Sequence, residues 1–133
     1  MSEWIQYTKE QKIASNKYSS IKSRVKKKPG YNLEDYWSRQ DFITWHTSIE
    51  KKCCYCGSTD IEIEKFYKKT ISKRKGTRGK TLEIERINDT PYTRENCKLS
   101  CYWCNNAKSD VFTYAEFQGI GKAIEKIIKT YKS

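Results

Sequence analysis

Apolar positions recur along this chain with two different periods. From residue 8 to 28, Ile13, Tyr18, Ile21 and Val25 follow a loosely helical spacing. Thr8 and Gln11 stand at capping-box distance at its start, and Pro29-Gly30 closes it. A polar, aromatic connector with Tyr31, Tyr36 and Trp37 leads to Ser38, placed to cap a second helix with Asp41 three residues on. Phe42, Trp45 and Ile49 would form the buried face of that helix. Ile61-Glu62-Ile63-Glu64-Lys65-Phe66-Tyr67 alternates apolar with polar residues, which predicts a half-buried edge strand. Beyond Ile71 the apolar period stops, and Gly76 and Gly79 loosen a basic stretch from Lys68 to Lys80, read as a flexible loop. Leu82 to Ile87 predicts a second strand with Glu83 and Glu85 on one face, ending at the turn-rich Asn88-Asp89-Thr90-Pro91. Thr113 and Glu116 form another capping box before a closing helix striped by Phe117, Ile120, Ile124, Ile127, Ile128 and Tyr131. No internal repeat and no linker-separated second domain is visible.

Composition changes this picture by showing how little core there is. Only 36% of the 133 residues are hydrophobic and the mean hydropathy is -0.94, so a single small domain would need a staple. Six cysteines offer one. Cys53-Cys54-Tyr55-Cys56 and Cys101-Tyr102-Trp103-Cys104 each hold a Cys-x-x-Cys pair, and a turn at that spacing brings both sulfurs to one tetrahedral ion. Cys53, Cys56, Cys101 and Cys104 therefore form a candidate structural zinc site, with Gly57 where such a turn often needs a positive φ. The closing helix is expected to pack on these two knuckles. The competing readings are a redox pair, a disulfide or coincidental buried cysteines. Cys54 and Cys97 are left over as free thiols.

Charge then narrows the partners. Lys and Arg number 27 against 16 acidic residues, a formal charge of +11, and such a field gathers polyanions, although the lysines could also merely solubilise the fold. Composition does not separate DNA from RNA. No apolar run approaches the roughly 18 residues of a membrane span, and Met1-Ser2-Glu3-Trp4 opens no signal-like stretch. The expectation is a cytoplasmic protein without a membrane partner.

Three further segments carry a resemblance. Leu82-Glu-Ile-Glu85-Arg86-Ile, Tyr92-Thr-Arg-Glu-Asn96 and Cys104-Asn105-Asn-Ala-Lys108-Ser109-Asp110 resemble the ββα-metal motif of HNH endonucleases. The pattern is most similar to the PacI-type rare-cutting restriction endonucleases, from about Phe42 through the last helix, with the cysteine pairs bracketing the motif. The further N-terminal zinc knuckle of that type has no counterpart, because no cysteine precedes Cys53.

The resemblance implies an α+β fold, a small zinc-stabilised ββα-metal (HNH) core flanked by N-terminal and C-terminal helices. Residues 1–50 would be a basic helical region with DNA contacts, and residues 51–133 the four-cysteine nuclease core with its C-terminal helix. It implies bacterial or phage-encoded hydrolysis of double-stranded DNA, of restriction, homing or phage type, and a homodimer would allow cuts on both strands. Glu85 and Asn105 would hold a catalytic Mg²⁺ or Mn²⁺ through hard oxygen atoms. Where the family has a histidine base after the acid, this chain has Arg86, which cannot accept a proton near neutrality. Arg86 would instead steady charge on the phosphate, and Tyr92 would activate water. A free phenol titrates near about 10, so activity is expected to rise into alkaline pH. Asn96 would orient the base or brace the loop, or be a plain turn residue. Lys68, Lys69, Lys73, Arg74, Lys75, Arg78, Lys80 and Lys108 are the candidate DNA contacts. His46, the single histidine, is read as structural, and Tyr31, Tyr36, Trp37 and Tyr55 as packing more than base-stacking residues. The rival readings are an inactive zinc-stabilised nucleic-acid-binding module, in which Arg86 marks a lost base, and an anti-defence interaction protein.

Overall fold

The computed structural model describes residues 6–76, 78–88 and 91–131. Its elements are α1 (Lys9–Val25), α2 (Leu33–Tyr36), α3 (Arg39–Ser48), α4 (Asp60–Lys69), β1 (Glu83–Arg86), β2 (Cys97–Ser100), α5 (Tyr102–Lys108) and α6 (Tyr114–Ile128). They form two compact units, one within residues 1–49 together with Pro91–Glu95, the other within residues 50–90 and 96–133. No described helix is long and apolar enough to cross a membrane. The opening residues Met1-Ser2-Glu3-Trp4, and Asp89 and Thr90 of the expected turn, lie outside the described residues.

In the first unit, α1 starts on the expected capping box: Gln11 N donates to Thr8 Oγ1 at 3.1 Å and Thr8 N to Gln11 Oε1 at 2.9 Å. Its buried stripe is Ala14, Tyr18, Ile21 and Val25. Ile13, expected in that stripe, faces solvent, because the stripe is centred one position further on. Helix α1 packs on α3, which Ser38 caps by accepting from Asp41 N. The contact is aromatic, with Tyr18 of α1 against Phe42 of α3 at 5.5 Å between ring centroids. Phe42 in turn lies 4.9 Å from Trp37 and 5.6 Å from Trp45, and His46 stacks on it at 5.9 Å. Tyr18 satisfies its hydroxyl by donating to the Trp37 carbonyl at 2.6 Å, so the ring can be buried without an orphaned polar group. His46 is thus part of the aromatic core, and Tyr31 and Tyr36 stack on each other at 5.1 Å.

The second unit corrects the sequence reading at residues 61–67, which form helix α4 and not an edge strand. Thr59 and Glu62 make a full capping box, Glu64 pairs with Lys68 one turn on at 3.4 Å, and acids open the helix while Lys68 and Lys69 close it. Ile61 to Glu64 alternates, but Ile63, Phe66 and Tyr67 stand at the i, i+3, i+4 spacing of a helix, and the cap agrees with them. Lys68 and Lys69 accordingly lie on a helix, not in a loop.

The segment that follows, up to β1, is a loop as expected, and several of its side chains are engaged. Arg74 Nη1 donates to Tyr102 Oη and to Asn106 Oδ1, both at 2.9 Å. Arg78 grips Glu83 with two hydrogen bonds, at 2.8 and 3.0 Å, and lies over the Tyr102 ring. Gly79 sits against Trp103, where a Cβ would collide with the indole, and its φ of +99° suits glycine.

Strands β1 and β2 pair antiparallel, with Glu83 opposite Ser100, Ile84 opposite Leu99, Glu85 opposite Lys98 and Arg86 opposite Cys97. Cys101 then caps α5, so β1, β2 and α5 form a ββα unit. The closing helix α6 starts on the Thr113 and Glu116 capping box and packs on the first cysteine knuckle. Phe117 meets the Tyr55 ring edge-on at 5.2 Å, and Gly121 passes so close that a Cβ would strike the Tyr55 carbonyl. The Gly121→Ala variant is expected to lose about 1–3 kcal/mol in urea melts. Gly119→Ala, with open space around it, should gain up to about 1 kcal/mol from helix propensity. Equal stability of the two variants would show that the knuckle does not require the close approach.

Candidate functional site

Cys53, Cys56, Cys101 and Cys104 are all buried and their Sγ atoms lie within 4.8 Å of one another. The Cys56 and Cys101 sulfurs are 3.9 Å apart, close to the roughly 3.8 Å expected between thiolates placed tetrahedrally at about 2.3 Å from one ion. The local backbone explains the gathering. Tyr55 N and Cys56 N donate to Cys53 Sγ at 3.4 and 3.5 Å, and Cys104 N to Cys101 Sγ at 3.4 Å. Gly57 turns the chain with φ +72° and donates back to the Cys53 carbonyl. These N–H groups offset negative charge on sulfur. Hydrogen bonds from the Cys101, Cys104 and Cys56 thiols drive Cys53 far below the ordinary thiol range, while the bond to Cys101 and burial drive Cys104 far above it. Four buried sulfurs cannot all ionise here without a compensating cation, and these four are positioned to bind a metal. Cys54 and Cys97 stand outside the cluster.

The first knuckle also reaches a carboxylate. Tyr55 Oη donates to Glu85 Oε2 at 3.1 Å, and Glu85 is 9% exposed. Alternation alone had marked Glu83 and Glu85 as a polar face, but Glu85 is more buried than its neighbour Ile84. Burial pushes the Glu85 carboxyl above its usual range, opposed by the positive charge of Lys108, the Tyr55 hydrogen bond and the charge of Arg86. Burial, reinforced by Glu85, pushes the Tyr55 phenol well above its ordinary value, so Tyr55 stays protonated and acts as a donor that orients the carboxylate. Sequence reasoning missed this role. The signal available was only the aromatic between two ligand cysteines, and its partner lies thirty positions away.

The other expected residues fall as follows. Asn105 is on α5, where its backbone N–H donates to the Cys101 carbonyl. Lys108 is buried, near enough for its charge to act on Glu85. Asn96 is buried and ties the hairpin by accepting from Asn88 N and donating to Asn88 O, both at 3.2 Å, beside the Ile87 N to Asn96 O bond. Tyr92 belongs to the first unit; its hydroxyl accepts from Arg24 at 3.2 Å and its N–H donates to Tyr31 Oη at 2.9 Å. Of the basic segment, Arg74 and Arg78 are engaged as above, and Lys75 Nζ donates to the Lys68 carbonyl. Lys73 and Lys80 are exposed.

The two-stranded sheet, the helix that follows it and the four-cysteine cluster define an α+β protein with the fold of an HNH endonuclease. The chain resembles the solved structure of PacI, a rare-cutting HNH restriction endonuclease. The TM-score is 0.67 at 20% identity, over 96% of this chain and 84% of that one. No family model and no curated protein matches the sequence.

Proposed function

We propose that this chain is a metal-dependent endonuclease that hydrolyses phosphodiester bonds in double-stranded DNA, as a restriction, homing or phage-encoded enzyme. The observation that supports it most is Glu85, a buried carboxylate beside the metal knuckle, within a ββα unit whose fold matches that of an HNH restriction enzyme. An acid buried against its own ionisation, yet oriented by a donor, suits a site that receives a cation. Zn²⁺ is the ion proposed for the four thiolates, where it would be structural. Free thiols available to an ion suit a reducing compartment, and a cytoplasmic location belongs to the same proposal.

In this reading Glu85 and Asn105 hold Mg²⁺ or Mn²⁺, which supplies Lewis-acid stabilisation of the scissile phosphate and leaving oxygen when bound. Arg86 neutralises charge that builds on the phosphate. Tyr92 takes the proton of the attacking water, and Asn96 braces the hairpin between them in sequence. Lys68, Lys69, Lys73, Arg74, Lys75, Arg78, Lys80 and Lys108 contact the DNA backbone, the exposed lysines most directly. A homodimer would pair two such centres for a double-strand cut.

The test is incubation of supercoiled plasmid with the purified protein and Mg²⁺ or Mn²⁺, repeated with Glu85→Ala and Asn105→Ala. Cleavage by the wild type and its loss in both variants is the expected outcome. Salt-sensitive binding with no cleavage in any metal or pH would favour the binding-only module, the reading that Arg86 at the usual histidine position supports. For the proton acceptor, Tyr92→Phe is expected to lower the cleavage rate about 10²–10⁴-fold. Tyr55→Phe should weaken metal dependence instead. An unchanged rate in Tyr92→Phe removes Tyr92 from the chemistry.

A further inference from the structure

Ile71 is 99% exposed, so its side chain packs on nothing in its own chain. Single apolar residues on a surface are ordinary, but the backbone around this one is held on both sides. Thr70, buried, ends α4 by donating its N–H to the Phe66 carbonyl at 2.8 Å. Ser72 N then donates to Thr70 Oγ1, and Arg74 N to Ser72 Oγ. Beyond them, the Arg74 guanidinium is fixed to Tyr102 and Asn106, and Gly76 N donates to Tyr67 Oη. The one apolar side chain between these anchors is turned outward. Exposed Lys68, Lys69 and Lys73 flank it, and the chain as a whole carries +11.

We propose that Ile71 is a wedge that enters the stack between two base pairs of a DNA duplex while the neighbouring lysines hold the phosphates on either side. Apolar side chains on basic elements unstack base steps in this way, and the disrupted step bends the helix. A held backbone suits the task, because only the Ile71 rotamers are left to order on insertion. The charge around Ile71 selects a polyanion over an apolar protein groove, and the branched aliphatic end offers no hydrogen bond to a base edge. The inference rests on the DNA reading above and adds a contact that reads deformability instead of base identity.

The experiment compares binding to an intact duplex and to the same duplex carrying a one-nucleotide gap, where unstacking is already accomplished, with Ca²⁺ in place of Mg²⁺. The wild type is expected to bind the gapped duplex about tenfold more tightly, and Ile71→Ala to bring the two affinities within about twofold of each other. Ile71→Leu should keep the preference. Lys73→Ala should weaken both complexes equally, as the loss of a phosphate contact does. All three variants should melt as the wild type does, since these side chains are exposed. Wild-type binding without a preference for the gap, or a preference that survives in Ile71→Ala, overturns the wedge and leaves the DNA reading standing. Failure to bind either duplex overturns both.

Discussion

Stripping an ion from Cys53, Cys56, Cys101 and Cys104 is expected to unfold the second unit cooperatively and to abolish the proposed nuclease activity. The unit's apolar core is small: among the described residues, Ile63, Phe117 and Ile128 are its fully buried large side chains apart from the cysteines themselves. The knuckles come from distant stretches of chain, and one of them caps α5 while the other receives α6. Binding of a structural zinc ion contributes on the order of 10 kcal/mol or more, against a total stability of about 5–15 kcal/mol for a domain. Removing it takes away most of the margin and leaves four buried polar sulfurs without their charge partner. Far-UV circular dichroism during titration with a strong chelator, alongside metal quantitation, should show helix loss in step with loss of one zinc per chain. Readdition of zinc under reducing conditions should restore it, and Cys104→Ser should behave as the stripped protein. An unaltered melting curve after complete metal loss would mean that the cluster is not the staple.

Glu85→Gln should separate activity from stability in opposite directions. Losing a hard anionic ligand from the proposed catalytic centre is expected to lower cleavage roughly a thousandfold or more, equivalent to several kcal/mol. The same change should raise the melting midpoint of the protein at pH 7 when no catalytic ion is bound. The Glu85 carboxyl is raised by burial, so the folded state holds this proton more tightly than the unfolded chain. Its contribution to stability is therefore fullest below the ordinary carboxylate range and is lost as pH rises through the raised folded value. At neutral pH the ionised group opposes folding, and glutamine, which retains an oxygen to accept from Tyr55, removes that opposition. The gain should vanish as pH falls below about 4, where glutamate is protonated in both states. Added Mg²⁺ should stabilise the wild type and not the variant. Wild-type cleavage by Glu85→Gln would remove this residue from the centre, and a lower midpoint at pH 7 would show that the ionised carboxylate is held favourably.

The sequence by itself determined the features whose chemistry is local. Paired cysteines predict a cluster because two ligands three positions apart share one turn, and Thr8, Ser38 and Thr113 predict helix starts because each cap bond spans three residues. The strand at Leu82 to Ile87 and the long closing helix carry enough period to be read, although Ile120 and Ile127 of the expected stripe are exposed and only Phe117, Gly121 and Ile128 of α6 are buried. Helix α4 was misread because the alternation of Ile61 to Glu64 was extended through Lys65 and Phe66, which break it, and the Thr59 and Glu62 cap was the deciding local signal. Strand β2, Cys97-Lys98-Leu99-Ser100, alternates apolar and polar residues over four positions only, too short a run to be read without its pairing to β1. The candidate catalytic residues were legible as residue types in a spacing, Glu85, Arg86, Asn96 and Asn105 among them. Their environments were decided only by tertiary structure. The burial of Glu85, its orientation by Tyr55, the charge of Lys108 beside it and the anchoring of the basic segment by Arg74 and Arg78 all join residues far apart in the chain. Periodicity tells which side of a strand is polar. What waits on that side, solvent or another part of the chain, depends on packing, and here it makes a carboxylate face the interior.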